Sequence, residues 1–155
     1  MTIELRNILL ATDFSPPARA AAEYAFELGR RFGAVVHLLY VIEDPVAYFP
    51  PFENPALPTK DELEAFARTA LDEWVLPDGA EDCTIERRFR HGTPHVQIIH
   101  DAQEHGIDLI VLGTHGRGAI AHLLMGSVAE RVVRGAECPV LTVRKVKVEG
   151  ESESG

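Results

Sequence analysis

Short apolar runs alternate along this chain with longer segments in which apolar residues recur at steps of three and four. A continuous apolar run indicates a strand that is buried on both faces, whereas the longer spacing indicates a helix that buries one face. Five strands alternating with four helices are typical of a doubly wound α/β protein with a parallel sheet. The strands are predicted at residues 5–12, 35–42, 83–90, 108–112 and 139–145.

The residues that flank each helical segment favour a helix start or stop. Ser15 can cap the first helix with Pro16 at its first position, and Gly33 can end it. Thr59 and Glu62 form a capping box for the second helix. The third helix is predicted between Thr93-Pro94 and Gly106, and the fourth over residues 127–134 with Gly135 after it.

The helical spacing also predicts which side chains face the sheet. The third strand is the most charged of the five, which favours a position near an edge. The predicted inward residues are Ala18, Ala21, Ala22, Ala25, Leu28, Gly29 and Phe32 in the first helix, Leu63, Phe66, Ala67, Ala70, Leu71 and Trp74 in the second, and Val96, Ile99 and Ala102 in the third.

A glycine-rich segment follows the fourth strand. The buried run of residues 107–112 ends at Gly113, Gly116 and Gly118, and Gly126-Ser127 then opens a helix. Glycines let backbone N–H groups approach a phosphate, and a helix start adds unpaired donors and a positive dipole. The segment lacks Gly-Lys-Ser/Thr and the G-x-G-x-x-G order, which argues against a Walker loop and a dinucleotide fingerprint.

Each candidate residue in and near this segment has a structural alternative. The glycines can serve ordinary turns, and Ser127 with Glu130 can form a capping box. The backbone N–H groups of Ser127 and Val128 can bind a phosphate oxygen in either case. Arg117 can pair with phosphate, whereas His115 and His122 fit solvated loop positions.

Asp13 lies where the first strand ends. A carboxylate beside a triphosphate repels it, unless it accepts a ribose hydroxyl or helps to hold a divalent cation. The structural alternative is an Asx-turn or a helix cap before Ser15. Other histidines do not suggest zinc, because His95 and His100 do not share a helical face.

Composition narrows the possible functions. A length of 155 residues fits one domain, expected at 1–146, with an acidic and disordered tail at 147–155. The net charge of −9 argues against nucleic-acid and anionic-membrane partners. Cys83 and Cys138 are expected to be small core residues in strands. No signal peptide or membrane-spanning run is evident, so a cytoplasmic protein is expected.

The spacing Gly113-x2-Gly116-x9-Gly126-Ser127 resembles the ATP-binding signature of the universal stress protein family. Residues 7–15, 92–94 and 138–143 resemble further landmarks of that family, and the resemblance covers roughly residues 4–145. It implies a Rossmann-like sheet of strand order 3-2-1-4-5. In that order strands one and four are neighbours at a switch point, where ligands of open α/β sheets bind.

The resemblance also implies roles for individual residues. The ligand is ATP, with Mg²⁺ brought by the nucleotide, and Asp13 contacts the nucleoside or the metal. The adenine edge is recognised by main-chain groups at Val41, for which a core valine is an equal alternative. Ala11, Thr12 and Leu112 are expected as pocket walls. The family pairs its last strand across a two-fold axis, which implies a homodimer through residues 140–143, and an unknown protein partner completes a regulatory role.

Three functions remain open at this point. The first is an ATP-binding stress protein with a regulatory or protective role. It would hydrolyse ATP slowly or not at all, because the glycine segment offers one arginine, no lysine and no clear base. The second is a nucleotide hydrolase or nucleotidyl transferase, and the third is a nucleotide-free interaction module. A phosphorylated receiver domain is disfavoured, because Arg90 and His91 stand where it needs a carboxylate. The loop at 43–58, with five prolines, fits a lid or an insertion equally well.

Overall fold

The five predicted strands form one parallel sheet. The computed structural model describes residues 1–45, 56–115 and 125–144. The sheet order is β3-β2-β1-β4-β5, and every pairing is parallel, as the family resemblance implied. The strands are β1 (Asn7–Thr12), β2 (Val35–Ile42), β3 (Ile85–His91), β4 (Leu109–Gly113) and β5 (Val140–Val143).

Four α-helices cover the two faces of the sheet. They are α1 (Pro16–Phe32), α2 (Lys60–Glu73), α3 (Pro94–Glu104) and α4 (Ser127–Gly135), with a 3-10 turn at Ala80–Asp82. One core layer joins α1 and α2 to the sheet, and a second layer joins α3 and α4 to its other face. None of the helices in the described ranges is long and apolar enough to cross a membrane.

The first helix forms where the sequence predicts it. Ser15 is its N-cap, and the Ser15 hydroxyl accepts a hydrogen bond from the Ala18 N–H at 3.4 Å. Gly33 ends the helix with a φ of 65°, a left-handed conformation that suits glycine. The alanine-rich face lies against β1 and β4 and lets the helix approach the sheet closely. The capping box at Thr59 and Glu62 likewise forms at the start of α2.

Three predicted inward side chains are instead exposed. Phe32, Phe66 and Val96 expose 50%, 55% and 46% of their surface. In α2 the buried stripe is narrow and follows Ala67 and Leu71 to Trp74. In α3 the stripe runs through Ile98, Asp101 and Ala102, which turns Val96 away from the sheet. Phe32 lies at the last turn of α1, beside Ile3 and Leu5 at the amino end of the sheet.

Both cysteines lie just outside the strands in which they were predicted. Cys83 precedes β3 and Cys138 precedes β5, and both are half-buried. Burial raises the pKa of both thiols, so neither has the character of a reactive thiolate. The predicted tail at 147–155 and residues 46–55 of the proline-rich loop lie outside the described ranges.

Candidate functional site

The carboxyl ends of β1 and β4 lie side by side at the centre of the sheet. Leu10 pairs with Val111, so the chain leaves both strands at the same edge. From β1 it turns to α1 on one face, and α4, which follows β4, packs on the other face. This reversal is the switch point at which α/β sheets of this kind bind ligands.

Gly113 ends β4 in direct contact with the start of α1. A β-carbon at this position would lie 2.7 Å from the Pro17 Cβ and 2.8 Å from the Pro17 carbonyl carbon. Both distances are shorter than real β-carbon contacts, and the Pro17 backbone has little freedom to retreat. Glycine is therefore required here by packing, whatever the ligand. That packing also brings Asp13 and the end of β4 into one region.

Asp13 begins a tight turn at the end of β1. Its Oδ1 accepts a hydrogen bond from the Ser15 N–H at 3.0 Å, which is the Asx-turn considered as its structural role. The Thr12 hydroxyl accepts from the Phe14 N–H at 2.9 Å. These two bonds fix the direction of the carboxyl group at the switch point. An Asx-turn is compatible with a ligand role, because a carboxylate has further acceptor capacity.

Phe14, the middle residue of this turn, has a left-handed backbone. It is the one residue other than glycine in the described ranges with a positive φ, at 63°. Such a conformation costs a non-glycine residue roughly 1–2 kcal/mol. The Phe14 ring packs against Tyr40, with ring centres 5.0 Å apart, and meets Trp74 edge-on at 5.7 Å. Each aromatic pair contributes about 0.5–1.5 kcal/mol beyond burial, enough to offset the backbone cost.

The first turn of α4 begins beside β4. The Gly126 N–H donates to the Thr114 carbonyl at 2.5 Å, and the Thr114 N–H donates to Val143 at 2.9 Å. The N-cap is Gly126, so the capping box considered as the structural alternative for Ser127 and Glu130 does not form. A cap at Gly126 moves Glu130 to the fourth helical position, where its carboxylate pairs with Arg134 instead.

The N-terminus of α4 provides backbone N–H donors that can bind an anion. The first N–H groups of a helix have no partner within the helix, and the helix dipole makes this end positive. Ser127 is exposed at the first position, and Val128 is half-buried behind it. Since no side-chain capping bond at this end occurs in the part of the chain that the structure describes, these backbone donors suit an anion.

The other predicted site residues fall into two groups. Ala11, Val41 and Leu112 have buried side chains in the core layer beneath α3 and α4, and Thr12 is buried at the end of β1. Ala11, Thr12 and Leu112 lie where β1 and β4 end, and their role as pocket walls stays a prediction. Gly116, Arg117 and Gly118, with His122, lie outside the described ranges.

A second polar region lies away from this edge, between the sheet and α3. We call it the buried ion cluster, and it contains His37, Arg88, Asp101 and His105. Asp101 is fully buried, and its carboxylate pairs with Arg88 in a two-bond arrangement, with 2.8 Å from Nε to Oδ2. His105 Nδ1 lies 2.9 Å from the Asp101 carbonyl oxygen. No local pattern in the sequence predicts this cluster, because its members belong to β2, β3 and the α3 region.

The hydrogen bonds of His37 define its protonation state. Arg88 Nη1 lies 2.8 Å from His37 Nδ1, and arginine can only donate, so Nδ1 must be an acceptor. His37 is therefore neutral, with its proton on Nε2, which lies 2.9 Å from Asn7 Oδ1. Burial, reinforced by the Arg88 charge, holds the His37 pKa below its usual value of 6.5. Among the described residues, no group of three or more histidine, cysteine or acidic side chains is placed to hold a metal.

The fold defines a class: parallel α/β proteins of order 3-2-1-4-5, in which the ends of β1 and β4 form a switch point. Within that class, a sequence model of the universal stress protein family matches residues 4–144, and the chain belongs to this family. It is 32% identical over 144 residues to universal stress protein MJ0531 of Methanocaldococcus jannaschii, covering 93% of this chain and 85% of that relative.

Solved structures of related proteins share the fold. Universal stress protein UspA from Lactobacillus plantarum superimposes with a TM-score of 0.77 at 30% identity, covering 92% of this chain and 100% of that one. A universal stress protein in complex with cAMP superimposes with a TM-score of 0.65 at 24% identity, covering 93% and 100%. At that identity the second likeness establishes the fold alone.

Proposed function

We propose that this universal stress protein binds ATP at the carboxyl edge of β1 and β4 and acts as a regulatory or protective protein in a stress response. The observation that carries the proposal is the convergence of three features at one switch point. These are the Asp13 turn, the glycine end of β4 and the uncapped start of α4. A nucleotide has parts that match them, because a phosphate suits backbone donors and a ribose hydroxyl suits a carboxylate.

The residues present fit this ligand. The N–H groups of Ser127 and Val128 would hold phosphate oxygens, with Gly116, Arg117 and Gly118 completing the cradle. Asp13 would accept a ribose hydroxyl or help to hold Mg²⁺ that arrives with the nucleotide. Ala11, Thr12 and Leu112 would wall the pocket, and main-chain groups at Val41 would meet the adenine edge. The cAMP complex of a protein with the same fold makes an adenine nucleotide the ligand class to test first.

The proposed site favours holding ATP over consuming it. The described ends of β1 and β4 and the start of α4 include no lysine or arginine, and Arg117 is the one cation of the glycine segment. Rapid phosphoryl transfer needs cations on the developing charge and a positioned nucleophile. Backbone donors bind ground state and transition state alike, which does not accelerate the reaction. Hydrolysis is therefore slow or absent, and occupancy of the site is the signal that partner proteins would read.

The direct test is to place a charge at the start of α4. In Ser127→Glu the new carboxylate interacts favourably with the positive end of the α4 dipole, so the thermal stability should equal or slightly exceed that of the parent. The same carboxylate repels the phosphates, and Mg-ATP affinity measured by calorimetry should fall at least roughly tenfold. Ser127→Gln has the same size without the charge and should keep near-parental affinity. An unchanged Mg-ATP affinity in Ser127→Glu would show that the start of α4 does not bind the phosphates.

The bound ligand can be identified independently. Denaturing freshly purified protein and separating the released small molecules should give ATP near one equivalent per chain. ADP or AMP in its place would favour a hydrolase. Absence of nucleotide both here and in an Mg-ATP titration would favour the nucleotide-free interaction module.

We also propose a cytoplasmic homodimer that pairs β5 with its twin. β5 is an edge strand of the sheet. The Ile110 N–H of β4 and the Thr114 N–H just after β4 donate to the Pro139 and Val143 carbonyls. Strand alternation then turns the backbone of Val140 and Thr142 outward, where it can pair with another strand. Thr142→Pro removes an outward N–H and should give a monomer by sedimentation. Thr142→Val keeps that N–H and should remain dimeric, and a dimer in both variants would place the interface elsewhere.

A further inference from the structure

The geometry points to Phe14 as a positioning residue for ligand recognition: its ring holds the turn that aims the Asp13 carboxyl at the ribose. This inference rests on the proposed nucleotide site. It adds a residue that does not touch the ligand and acts through its neighbour. The observations that carry it are the left-handed backbone of Phe14, its two ring contacts and the Asx-turn that spans it.

The turn requires the conformation that Phe14 adopts. The hydrogen bond from the Ser15 N–H to Asp13 Oδ1 closes over Phe14, which is the residue between its two ends. A second bond, from the Phe14 N–H to the Thr12 hydroxyl, closes over Asp13 and holds the peptide unit before Phe14. The bond that spans Phe14 depends on its φ of 63°. If that torsion relaxed to an ordinary value, the direction of the Asp13 side chain would change with it.

The packing of the Phe14 ring keeps this backbone torsion in place. Left-handed positions favour glycine or asparagine, and a large apolar residue there needs compensation from outside the backbone. This compensation comes from contacts with two separate parts of the fold, since Tyr40 belongs to β2 and Trp74 follows α2. The ring is thus anchored to the α1–α2 core layer, while the carboxyl before it lies at the switch point.

An ordinary core role would make a different prediction. A phenylalanine that only fills space affects stability and affects all ligands alike. A phenylalanine that aims Asp13 affects the contact that Asp13 makes and leaves the phosphate contacts unchanged. Comparing ATP with 2′,3′-dideoxy-ATP separates the two roles, because the second nucleotide lacks the hydroxyls that a carboxylate would accept.

The experiment measures both affinities by calorimetry in the full-length protein, the Phe14→Leu variant and the Phe26→Leu variant. Phe26 is the matched control, because it is a buried phenylalanine of α1 in the same core layer. The parent should prefer ATP by roughly tenfold, the order expected for one hydrogen bond to a charged group. In Phe14→Leu that preference should fall to within about twofold of unity, with dideoxy-ATP affinity retained, whereas Phe26→Leu should keep it.

A further variant separates the torsion from the ring. Phe14→Gly permits the left-handed backbone without strain but has no ring to hold it. Loss of the ATP preference in this variant, with a native circular dichroism spectrum, supports the ring as the holding element. Retention of the preference in Phe14→Gly or Phe14→Leu overturns the inference.

The remaining outcomes are also decisive. Equal loss of preference in Phe26→Leu would mean that general core damage is responsible, which overturns the positioning role. A parent that binds both nucleotides equally shows that Asp13 does not contact the ribose, so the inference fails while nucleotide binding stands. A parent that binds neither nucleotide overturns the proposed function and this inference together.

Discussion

The switch-point edge and the buried ion cluster are two polar regions of the described residues, and their polar groups are satisfied in different ways. In the cluster, the side chains of Arg88, Asp101 and His37 satisfy one another inside the protein. At the edge, no side-chain cap to the start of α4 is found among the described residues, and its first backbone N–H groups have no partner within the helix. The contrast separates polar groups that stabilise the fold from polar groups that a ligand can complete. Substitutions in the two regions should therefore change different measured quantities.

The largest effect is expected from Asp101→Asn in the cluster. Removing this charge leaves the largely buried Arg88 guanidinium without its buried carboxylate partner, with only the exposed Glu86 nearby, which should cost about 3–5 kcal/mol in the free energy of unfolding. Urea denaturation measures it, and the Mg-ATP affinity of the folded fraction should stay at the parental value. Glu27→Gln removes the carboxylate of an exposed ion-pair group with Arg30 and Arg31 and should leave the midpoint almost unchanged. A strong loss of Mg-ATP affinity in Asp101→Asn would mean that the buried ion cluster and the edge are energetically coupled, which contradicts this prediction.

A smaller effect is expected from Gly113→Ala at the edge. The new methyl group meets the Pro17 backbone, and such overpacking should cost about 1–3 kcal/mol in unfolding free energy. Mg-ATP affinity should fall as well, because the end of β4 must move away from α1. Gly135→Ala is the matched control: its nearest contact is also 2.7 Å, but to the mobile tip of Ile99. That variant should remain within about 0.5 kcal/mol of the parent. Equal losses in both variants would mean that the close contact of β4 with α1 is not special.

The smallest effect is a pH dependence that belongs to the cluster alone. The folded-state pKa of His37 lies below 6.5, so the unfolded chain binds the proton more readily. The contribution of neutral His37 to the free energy of unfolding is fully present above pH 6.5. It is lost as the pH falls through the folded-state pKa. Titration of one histidine changes the free energy of unfolding by at most about 1.4 kcal/mol per pH unit.

The control for this slope is His37→Gln, which keeps one acceptor and one donor but cannot titrate. His37 is faced by Glu86 and Arg88 from β3, by Asp101 and His105 of the α3 region, and by Asn7 from β1. All of these groups remain in the variant, so the difference between parent and variant isolates His37. Urea midpoints between pH 5 and 7.5 should fall more steeply for the parent, and parallel curves would contradict the assignment.

The fold could be predicted because its signals are local. Buried runs mark the strands, and Ser15, Gly33 and the capping box at Thr59 are short-range devices that act alike in any protein. The faces of the helices were less predictable. Phe66 and Val96 match the helical spacing, but the rotation of each helix against the sheet decides which apolar residues are covered, and that rotation depends on the whole core.

The meeting of Asp13 and Gly113 at one edge of the sheet was predictable, but the local geometry there was not. Asp13 and Gly113 were expected to meet because parallel neighbours end at one edge, and the structure brings them together. The cap at Gly126 was missed, because Ser127 and Glu130 satisfy the same local pattern one residue out of register. Phe14 was also missed, since a phenylalanine gives no sequence signal for a left-handed turn. Its conformation depends on Tyr40 and Trp74, which lie far away in the chain.

Trp74 gives the chain an optical reporter of its own. It is the single tryptophan in the sequence, it is buried, and its indole N–H has no hydrogen-bond partner among the described residues. Emission from such an indole is expected at short wavelength, free of signals from other tryptophans. Since the Phe14 ring touches it, any ligand that shifts the turn after β1 should alter its intensity. Occupancy of the switch point could then be followed in solution without a label, one fluorophore for each chain.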